Sequence, residues 1–204
     1  MKKVQRGPSI WPIIKTTILL IILSPLGIMA QSLYKLTPAK NVLVTVNGTS
    51  NVHDWTMTST GIESQGVFKL NSKNELTGLS AFSFTVLAKS LKSGKSSMDN
   101  RTYKSILADE FPKIVFVLKS AVVNPLSANR FQILATGNLS IAGATQPVTL
   151  TVTALVNADQ SITCTGTEKL KLTDYKIDSP SFMLGAMKVG NELGIKFDLN
   201  YNKP

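Results

Sequence analysis

Few side chains in this 204-residue chain belong to the types that catalyse reactions or bind metals. It contains one histidine, His53, and one cysteine, Cys164. A Ser/His/Asp triad needs a serine and an acid that the fold brings to the histidine, and no motif marks either. A zinc site needs three or four ligands, which this pair does not supply without carboxylates. The sequence therefore predicts no catalytic residues and no metal site, and we interpret His53 as a packed or rim residue of a strand that also contains Trp55 and Met57.

The tripeptide Gly94-Lys95-Ser96 lies between a predicted strand and a predicted helix, which is the setting of a phosphate-binding loop. That motif requires a glycine five residues before Gly94, where this chain has Lys89. The alternation of strands and helices in which the motif occurs is also missing. Free backbone N–H groups at a helix start can still bind an anion, and Lys92 and Lys95 lie beside them. A site for a pyrophosphate or lipid headgroup and a solvated polar loop are both open interpretations.

Glu168 interrupts an otherwise regular pattern. Over residues 162–172 the even positions hold Ile, Cys, Gly and Leu besides this glutamate, and the odd positions hold Thr and Lys. If the alternation continues, Glu168 points inward, where an unpaired carboxylate is costly or changes its pKa. A β-bulge at Gly166 would reverse the parity, and we favour that alternative. Cys164 is interpreted as a small buried apolar residue.

Most of the chain alternates between apolar and polar residues with period two, which predicts antiparallel strands that have one wet face. We count eight to ten strands, a number typical of a barrel or a sandwich. A barrel of about eight strands either fills its interior or holds one small ligand, and the residues alone leave both open. The expected turns are Asn47-Gly48, residues 71–74, Asn124-Pro125, residues 142–144, residues 157–160 and Gly190-Asn191.

One short helix is predicted, over about residues 96–108. We expect Ser96 to cap it, with Asp99 as the reciprocal acid three residues later, and Phe111-Pro112 to end it. A helix of this length needs tertiary contacts to persist, so its apolar stripe should pack on the sheet, across one end of the barrel. The stripe consists of Met98, Thr102, Ile106 and Leu107.

The first 30 residues have the pattern of a signal peptide. Four basic residues, Lys2, Lys3, Arg6 and Lys15, precede an apolar run over residues 16–29, and Ala30 supplies the small residue before the expected cut. Residues 31–204 then form one domain, and an uncleaved anchor is the alternative. Without the leader, 18 basic and 12 acidic residues leave a net charge of +6, instead of +10 for the whole chain. Aromatic residues do not interleave with the lysines as in single-strand binders, so we expect no nucleic-acid partner.

Several segments, in their order and spacing, resemble the YceI-like family, whose members are known as polyisoprenoid-binding or lipid-binding proteins of the bacterial envelope. The resemblance implies a single all-β domain: an extended antiparallel β-barrel of lipocalin-like shape with the helix near its mouth. It also implies a long apolar ligand threaded through the interior, and it implies no catalysis. The segments that carry the resemblance are residues 82–86, 91–94, 98–105, 109–116, 137–143, 147–150 and 172–175.

The resemblance and the apolar inward faces together predict a periplasmic carrier of an amphipathic lipid. We expect no cofactor beyond the bound lipid. Polyprenyl phosphate and an isoprenoid quinone are the candidates for this lipid. Storage, transport and stress protection are open as roles, and so are membrane-surface contact and a homodimer. The alternatives are a filled barrel with a structural or partner-binding role and, ranked below it, an envelope enzyme that acts on a lipid. The expected ligand-lining residues are Phe82, Phe84, Val86, Met98, Tyr103, Phe111, Ile114 and Phe116, and the expected polar end consists of Lys92, Lys95 and Ser96.

Overall fold

The computed structural model describes residues 30–37, 43–182 and 186–204. The predicted signal peptide lies outside them except for Ala30, which begins the first strand, so the leader and its cleavage stay predictions. The described residues form one α-helix, α1 (Ser96–Ser105), and two short 3-10 turns, Ala88–Ser90 and Leu172–Tyr175. The strands are β1 (Ala30–Leu36), β2 (Leu43–Ser50), β3 (Trp55–Ser59), β4 (Ile62–Leu70), β5 (Leu76–Leu87), β6 (Lys113–Ser127), β7 (Arg130–Ile141), β8 (Ala144–Val156), β9 (Ile162–Lys171), β10 (Ser181–Phe182) and β11 (Met187–Asn202).

Eight of these strands close into a ring of antiparallel neighbours. The order is β1-β4-β5-β6-β7-β8-β9-β11, and β1 completes the ring by pairing with β11. Closure gives each of these strands a neighbour on both sides along at least part of its length. The predicted all-β fold, an antiparallel barrel with one helix, is confirmed.

Different strands close the two ends of the barrel. At one end, which we call the floor, β1 lies between β4 and β11. At the other end, the mouth, β2 pairs with β11 and β3 pairs with β2. The outer edge of β3 reaches the segment after β5 through two backbone bonds of 2.8 Å between Thr58 and Lys92. The ring is therefore closed by different strands at its two ends.

Three of the expected turns lie inside strands, and the described residues contain eleven strands, one more than the upper prediction. Asn47-Gly48 lies within β2, where a Cβ on Gly48 would overlap the ring of Trp55. Gly190-Asn191 lies within β11, at a shift of register between Val189 and Leu193. Gly48 thus allows close packing and Gly190 lies at an irregularity within a strand, and neither marks a chain reversal.

Asn124-Pro125 is the third of these, and it lies within β6. The pairing of β6 with β5 ends at Val117, so Pro125 lies on an edge that has no partner strand in the described part of the chain. A proline is tolerated there because no ladder needs its missing N–H.

The helix begins where it was expected and ends three residues early. Leu107 has a φ of 51°, which takes the chain out of the helical region directly after Ser105 and Ile106. The predicted cap is wrong: Lys95 is the N-cap residue and makes no side-chain capping bond. Asp99 instead accepts bonds from the backbone N–H of Ser93 at 2.8 Å and from its hydroxyl at 2.7 Å. The carboxylate thus fixes the loop that precedes the helix.

Candidate functional site

A cavity of about 440 Å³ occupies the barrel between the floor and α1. Its volume lies within the ~300–1,000 Å³ range of small-molecule sites. The wall is overwhelmingly apolar, because the inward positions of the alternating strands are Val, Ile, Leu and Phe. The contributions of the strands at the mouth and in the middle of the barrel include Val44, Val46, Trp55, Met57, Leu79, Val86, Leu139, Leu150, Leu170, Leu193, Ile195 and Phe197.

The cavity is long as well as apolar. On β11, alternate residues from Leu193 to Tyr201 line it. Eight residue steps correspond to ~26 Å along a strand, or ~20 Å along the axis of a barrel whose strands tilt by ~40°. A modest volume spread over this length leaves a narrow tunnel, which fits an extended chain better than a compact ring system.

The floor of the cavity is closed by aromatic packing. Phe68 and Tyr201 are almost fully buried, and their ring centroids lie 5.5 Å apart. Phe82 contacts both rings, at 6.5 Å from Phe68 and 5.9 Å from Tyr201. The Tyr201 hydroxyl is satisfied by a 2.9 Å bond with the Ser64 hydroxyl. The interior is therefore sealed at this end without an unpaired polar group from Tyr201.

The mouth carries positive charge. Lys95 and Arg101 from the helix region and Lys171 from the end of β9 line the cavity there. His53 was expected to be a packed or rim residue of a strand. It is an exposed rim residue, but it precedes β3 instead of belonging to a strand. Its Nδ1 lies 3.1 Å from the carbonyl oxygen of Asp54. A ligand that enters an apolar tunnel through this mouth can leave an anionic or polar end beside the cations.

Six of the eight expected lining residues lie along the cavity, whereas two do not. Tyr103 does not line the cavity, and its hydroxyl lies 2.9 Å from the carbonyl oxygen of Lys89 and 2.7 Å from that of Leu91. The ring of Phe111 packs over Gly143. Contact of the other six with a ligand stays a prediction. Those six are Phe82, Phe84, Val86, Met98, Ile114 and Phe116.

Of the expected polar end, only Lys95 lines the cavity. Ser96 is exposed at the helix start, and Lys92 lies outside the cavity wall. The Lys92 ammonium is 3.9 Å from the Asp99 carboxylate and 5.2 Å from the centroid of the Tyr103 ring. Burial of Asp99 opposes its ionisation, but the bonds from Ser93 and the charge of Lys92 outweigh this and hold the pKa of Asp99 below its usual value. Lys92 therefore has a structural partner, and Lys95 faces the cavity.

Glu168 points into the cavity, so the bulge that we favoured at Gly166 is wrong. The pairing of β9 with β11 runs without a shift of register from Ile162 to Lys171. Gly166 serves a different purpose: a Cβ there would overlap the ring of Phe197, its partner across the strands. Burial raises the pKa of Glu168, although the backbone N–H of Lys169 partly offsets that effect.

Cys164, on the same face of β9, is 5% exposed and free, which confirms its interpretation as a small buried residue. Burial raises the pKa of its thiol to about 12, so the thiol stays protonated at neutral pH. Within the described ranges, no three His, Cys, Asp or Glu side chains lie close enough together to hold a metal ion. No helix in the same ranges is long and apolar enough to span a membrane.

Sequence reasoning missed Arg101 and Tyr175, both of which line the cavity. Arg101 follows Met98 by three residues, so the helical spacing of the apolar stripe already placed it on the same face. Tyr175 follows the last paired residue of β9 and belongs to the turn Leu172–Tyr175. No period-two or helical pattern covers such a turn, which is why its inward side chain carried no signal.

The model of the YceI-like domain matches residues 34–201 of this chain. No curated protein matches it in sequence. Among solved structures, BcnA of Burkholderia cenocepacia is similar with a TM-score of 0.63 and 20% identity, over 81% of this chain and 98% of that one. A polyisoprenoid binding domain from Saccharophagus degradans, implicated in plant cell wall breakdown, has a TM-score of 0.61 and 12% identity, over 84% and 98%. The YCEI protein of Campylobacter jejuni has a TM-score of 0.50 and 16% identity, over 68% and 81%.

At these identities the solved structures show the fold alone, whereas the match to the family model shows common ancestry. The matched residues run from β1 to the end of β11, so they include the closed ring and every strand that lines the cavity. The chain belongs to the YceI-like family.

Proposed function

We propose that this protein is an exported, non-catalytic carrier that holds a long apolar lipid, such as a polyisoprenoid or an isoprenoid quinone, inside its barrel. The single observation that carries the proposal is the narrow apolar cavity, sealed at the floor and open beside α1. Filling such a cavity removes apolar surface of both lipid and protein from water, at about 25 cal/mol per Å². The Saccharophagus degradans neighbour, described as polyisoprenoid binding, supports the same class of ligand.

The charge at the mouth supports an amphipathic ligand. Lys95, Arg101 and Lys171 stand where the tunnel meets solvent. A chain that enters tail first leaves its head at this end, where a phosphate or another polar headgroup would interact with the cations. The same cations would favour the anionic surface of a membrane during loading, so contact with a membrane surface belongs to the proposal.

The two rival functions have less support. A barrel with a filled core does not account for a cavity of about 440 Å³. An enzyme acting on a lipid would need a catalytic constellation, and the titratable groups deep in the cavity wall are a glutamic acid with a raised pKa, two buried tyrosines and a protonated thiol. Residence in the periplasm follows from the expected leader alone and is part of the proposal, as is a role in storage, transport or stress protection.

Native mass spectrometry tests the proposal. The protein is produced from the full-length chain, recovered from the cell envelope without added detergent, and then extracted with organic solvent. We expect a stoichiometric adduct that releases an isoprenoid lipid. A bare mass that does not change after incubation with polyprenyl phosphate or an isoprenoid quinone would contradict the proposal.

A further inference from the structure

Glu168 lies within the apolar part of the cavity and not at its rim. Across the sheet its partner is Ile195, which pairs with Val46, which in turn pairs with Met57. These side chains form one level of the barrel. Leu170 on β9 is one inward position nearer to the mouth, so an apolar level separates Glu168 from the cationic rim.

The barrel wall opens beside Glu168. The pairing of β8 with β9 ends at Val152 and Gly166, two residues before Glu168. The turn Leu172–Tyr175 covers this opening, and Gln146 of β8 holds the turn by donating a 2.7 Å bond from its Nε2 to the carbonyl oxygen of Asp174. Tyr175, 3% exposed, reaches the cavity from the turn. Two polar side chains thus enter the cavity at the place where two strands separate.

The protein offers these two polar groups few partners. Among the described residues, no side chain is hydrogen-bonded to the Glu168 carboxyl or to the Tyr175 hydroxyl, and the backbone N–H of Lys169 is the group that favours the ionised carboxylate of Glu168. Burial raises the pKa of Glu168. Burial, followed by the charges of Asp174 and Glu168, raises the pKa of Tyr175 to about 12. Both side chains line the cavity, beside the place where β8 and β9 separate. A polar group that loses water to an apolar ligand and gains no partner is costly, so a ligand that supplies a partner to Glu168 or Tyr175 gains affinity.

We infer that Glu168 and Tyr175 form a polar binding site inside the apolar cavity, which selects lipids that carry an uncharged hydrogen-bonding oxygen, such as a hydroxyl or a carbonyl. The inference rests on the proposed lipid-binding function. A carboxyl that takes up a proton on binding and a phenol can each donate and accept, so together they can satisfy both the hydrogen and the lone pairs of a neutral oxygen. An anionic group is disfavoured here because it would face the carboxyl, and it belongs with Lys95, Arg101 and Lys171 at the mouth.

Binding should take up a proton at Glu168. An apolar ligand displaces water from the carboxyl and thereby favours its neutral form, so affinity falls as the pH rises through the pKa of Glu168. At the rim, the groups that can contribute charge are His53, Lys95, Arg101 and Lys171. Deeper in the wall, Cys164, Tyr175 and Tyr201 have raised pKa values and stay neutral near pH 7. His53→Gln at the rim is the matched control for Glu168→Gln inside the cavity.

The test compares a prenyl alcohol, farnesol, with its hydrocarbon analogue, farnesene, on protein produced from the full-length chain. Binding is followed by the fluorescence of Trp55, which lines the cavity. For the wild type we expect affinity for farnesol to exceed that for farnesene by about tenfold, the equivalent of one good hydrogen bond. Glu168→Leu should remove this preference by weakening farnesol alone, and Tyr175→Phe should reduce it by a smaller factor. Glu168→Gln should keep the preference and lose the pH dependence, which His53→Gln should retain.

The outcomes are distinguishable. If Glu168→Leu leaves the ratio of the two affinities unchanged, the polar site is overturned while the lipid-binding function stands. If the wild type binds neither probe, both are overturned. If the leucine variant does not fold, the loss or retention of pH dependence in Glu168→Gln decides alone.

Discussion

The strands at both ends of this barrel alternate between inward and outward residues, but the floor is packed and the mouth is open. At the floor, the inward positions of β1, β4 and β11 carry Tyr34, Phe68 and Tyr201, whose rings meet and exclude solvent. At the mouth, the inward positions of β2 and β11 carry Val46 and Ile195, which are only half-buried and line the cavity. Alternation alone specifies which residues point inward. The size of those residues decides whether the interior is filled or empty.

The polar groups follow the same division. At the floor, the Tyr201 hydroxyl is bonded to Ser64 within the protein. Towards the mouth, Glu168 and Tyr175 face the cavity, and Lys95 and Arg101 stand at its opening. The Tyr34 hydroxyl, also at the floor, is buried without a hydrogen-bond partner in the described part of the chain. The mouth, in contrast, presents its polar groups to the cavity. Stability should therefore be most sensitive at the floor, and binding at the mouth.

The largest effect that we expect on stability is at the floor. Phe68→Ala should lower the free energy of unfolding by about 3–5 kcal/mol, because a fully buried ring leaves a cavity among other aromatic rings. The matched variant Phe84→Ala removes a half-buried ring that already borders the cavity, so it should cost less. Urea denaturation of both variants measures the difference. Equal losses at the two positions would contradict the contrast between a packed and an open end.

The next effect is at the loop that positions the helix over the mouth. Asp99→Ala should cost about 1–3 kcal/mol, because the backbone N–H and hydroxyl of Ser93 both lose their acceptor. Asp109→Ala is the control: its carboxylate is exposed and, in the described part of the chain, pairs with Lys89 at the surface, so the substitution should cost ~0–1 kcal/mol. Thermal or urea unfolding at pH 7 compares them, and a larger loss for Asp109→Ala would refute this assignment.

The contribution of Asp99 has a definite dependence on pH. Its pKa is lower in the folded protein than the usual value, ~3.9 in an unfolded chain. Its stabilising effect is therefore complete above about pH 4 and is lost as the pH falls through the folded-state pKa. We expect the wild type and Asp99→Ala to converge in stability below pH 4. A gap that stays constant down to pH 2 would show that the charge of Asp99 is irrelevant.

A smaller effect is expected on lipid binding when the charge at the mouth is reversed. Lys95→Glu should weaken uptake of a polyprenyl phosphate by about tenfold at low salt, since Lys95 lines the mouth. Added salt should reduce the difference. Lys104→Glu makes the same change of charge on the same helix but away from the cavity, and should have little effect. Equal weakening in both variants would indicate a general effect of net charge instead of a headgroup contact.

Much of the barrel could be predicted because period-two patterns are local. Phe82, Phe84 and Val86 on β5 and Ile114 and Phe116 on β6 line the interior as the alternation placed them. The way the N-terminal strands share the two ends of the wall could not be predicted in the same way. It depends on pairings between residues far apart in the chain, such as Leu36 with Tyr201 and Thr58 with Lys92.

The candidate site shows where a local pattern stops being informative. Helical spacing identified the stripe of α1 but not how the helix is rotated on the barrel, so Tyr103 was expected inside and lies outside, while Arg101 lines the cavity. At Glu168 two principles competed: the alternation placed it inward, and the cost of burying a carboxylate argued for a bulge. The strand pairing has no bulge, so the alternation gave the correct orientation of Glu168. Glu168, whose carboxyl faces an apolar cavity despite the cost of removing it from water, is the centre of the inferred polar site.

The most direct test of the central claim is whether filling the cavity abolishes lipid binding. Val46→Trp places a large ring at the level of Glu168, whereas Thr45→Trp places the same ring on the opposite face of β2. Both variants and the wild type are incubated with one polyisoprenol and analysed by native mass spectrometry, with unfolding measured in parallel because overpacking costs ~1–3 kcal/mol. The account predicts a one-to-one adduct for the wild type and Thr45→Trp and none for a folded Val46→Trp. An adduct of equal yield on all three would mean that the lipid binds elsewhere and would contradict the account.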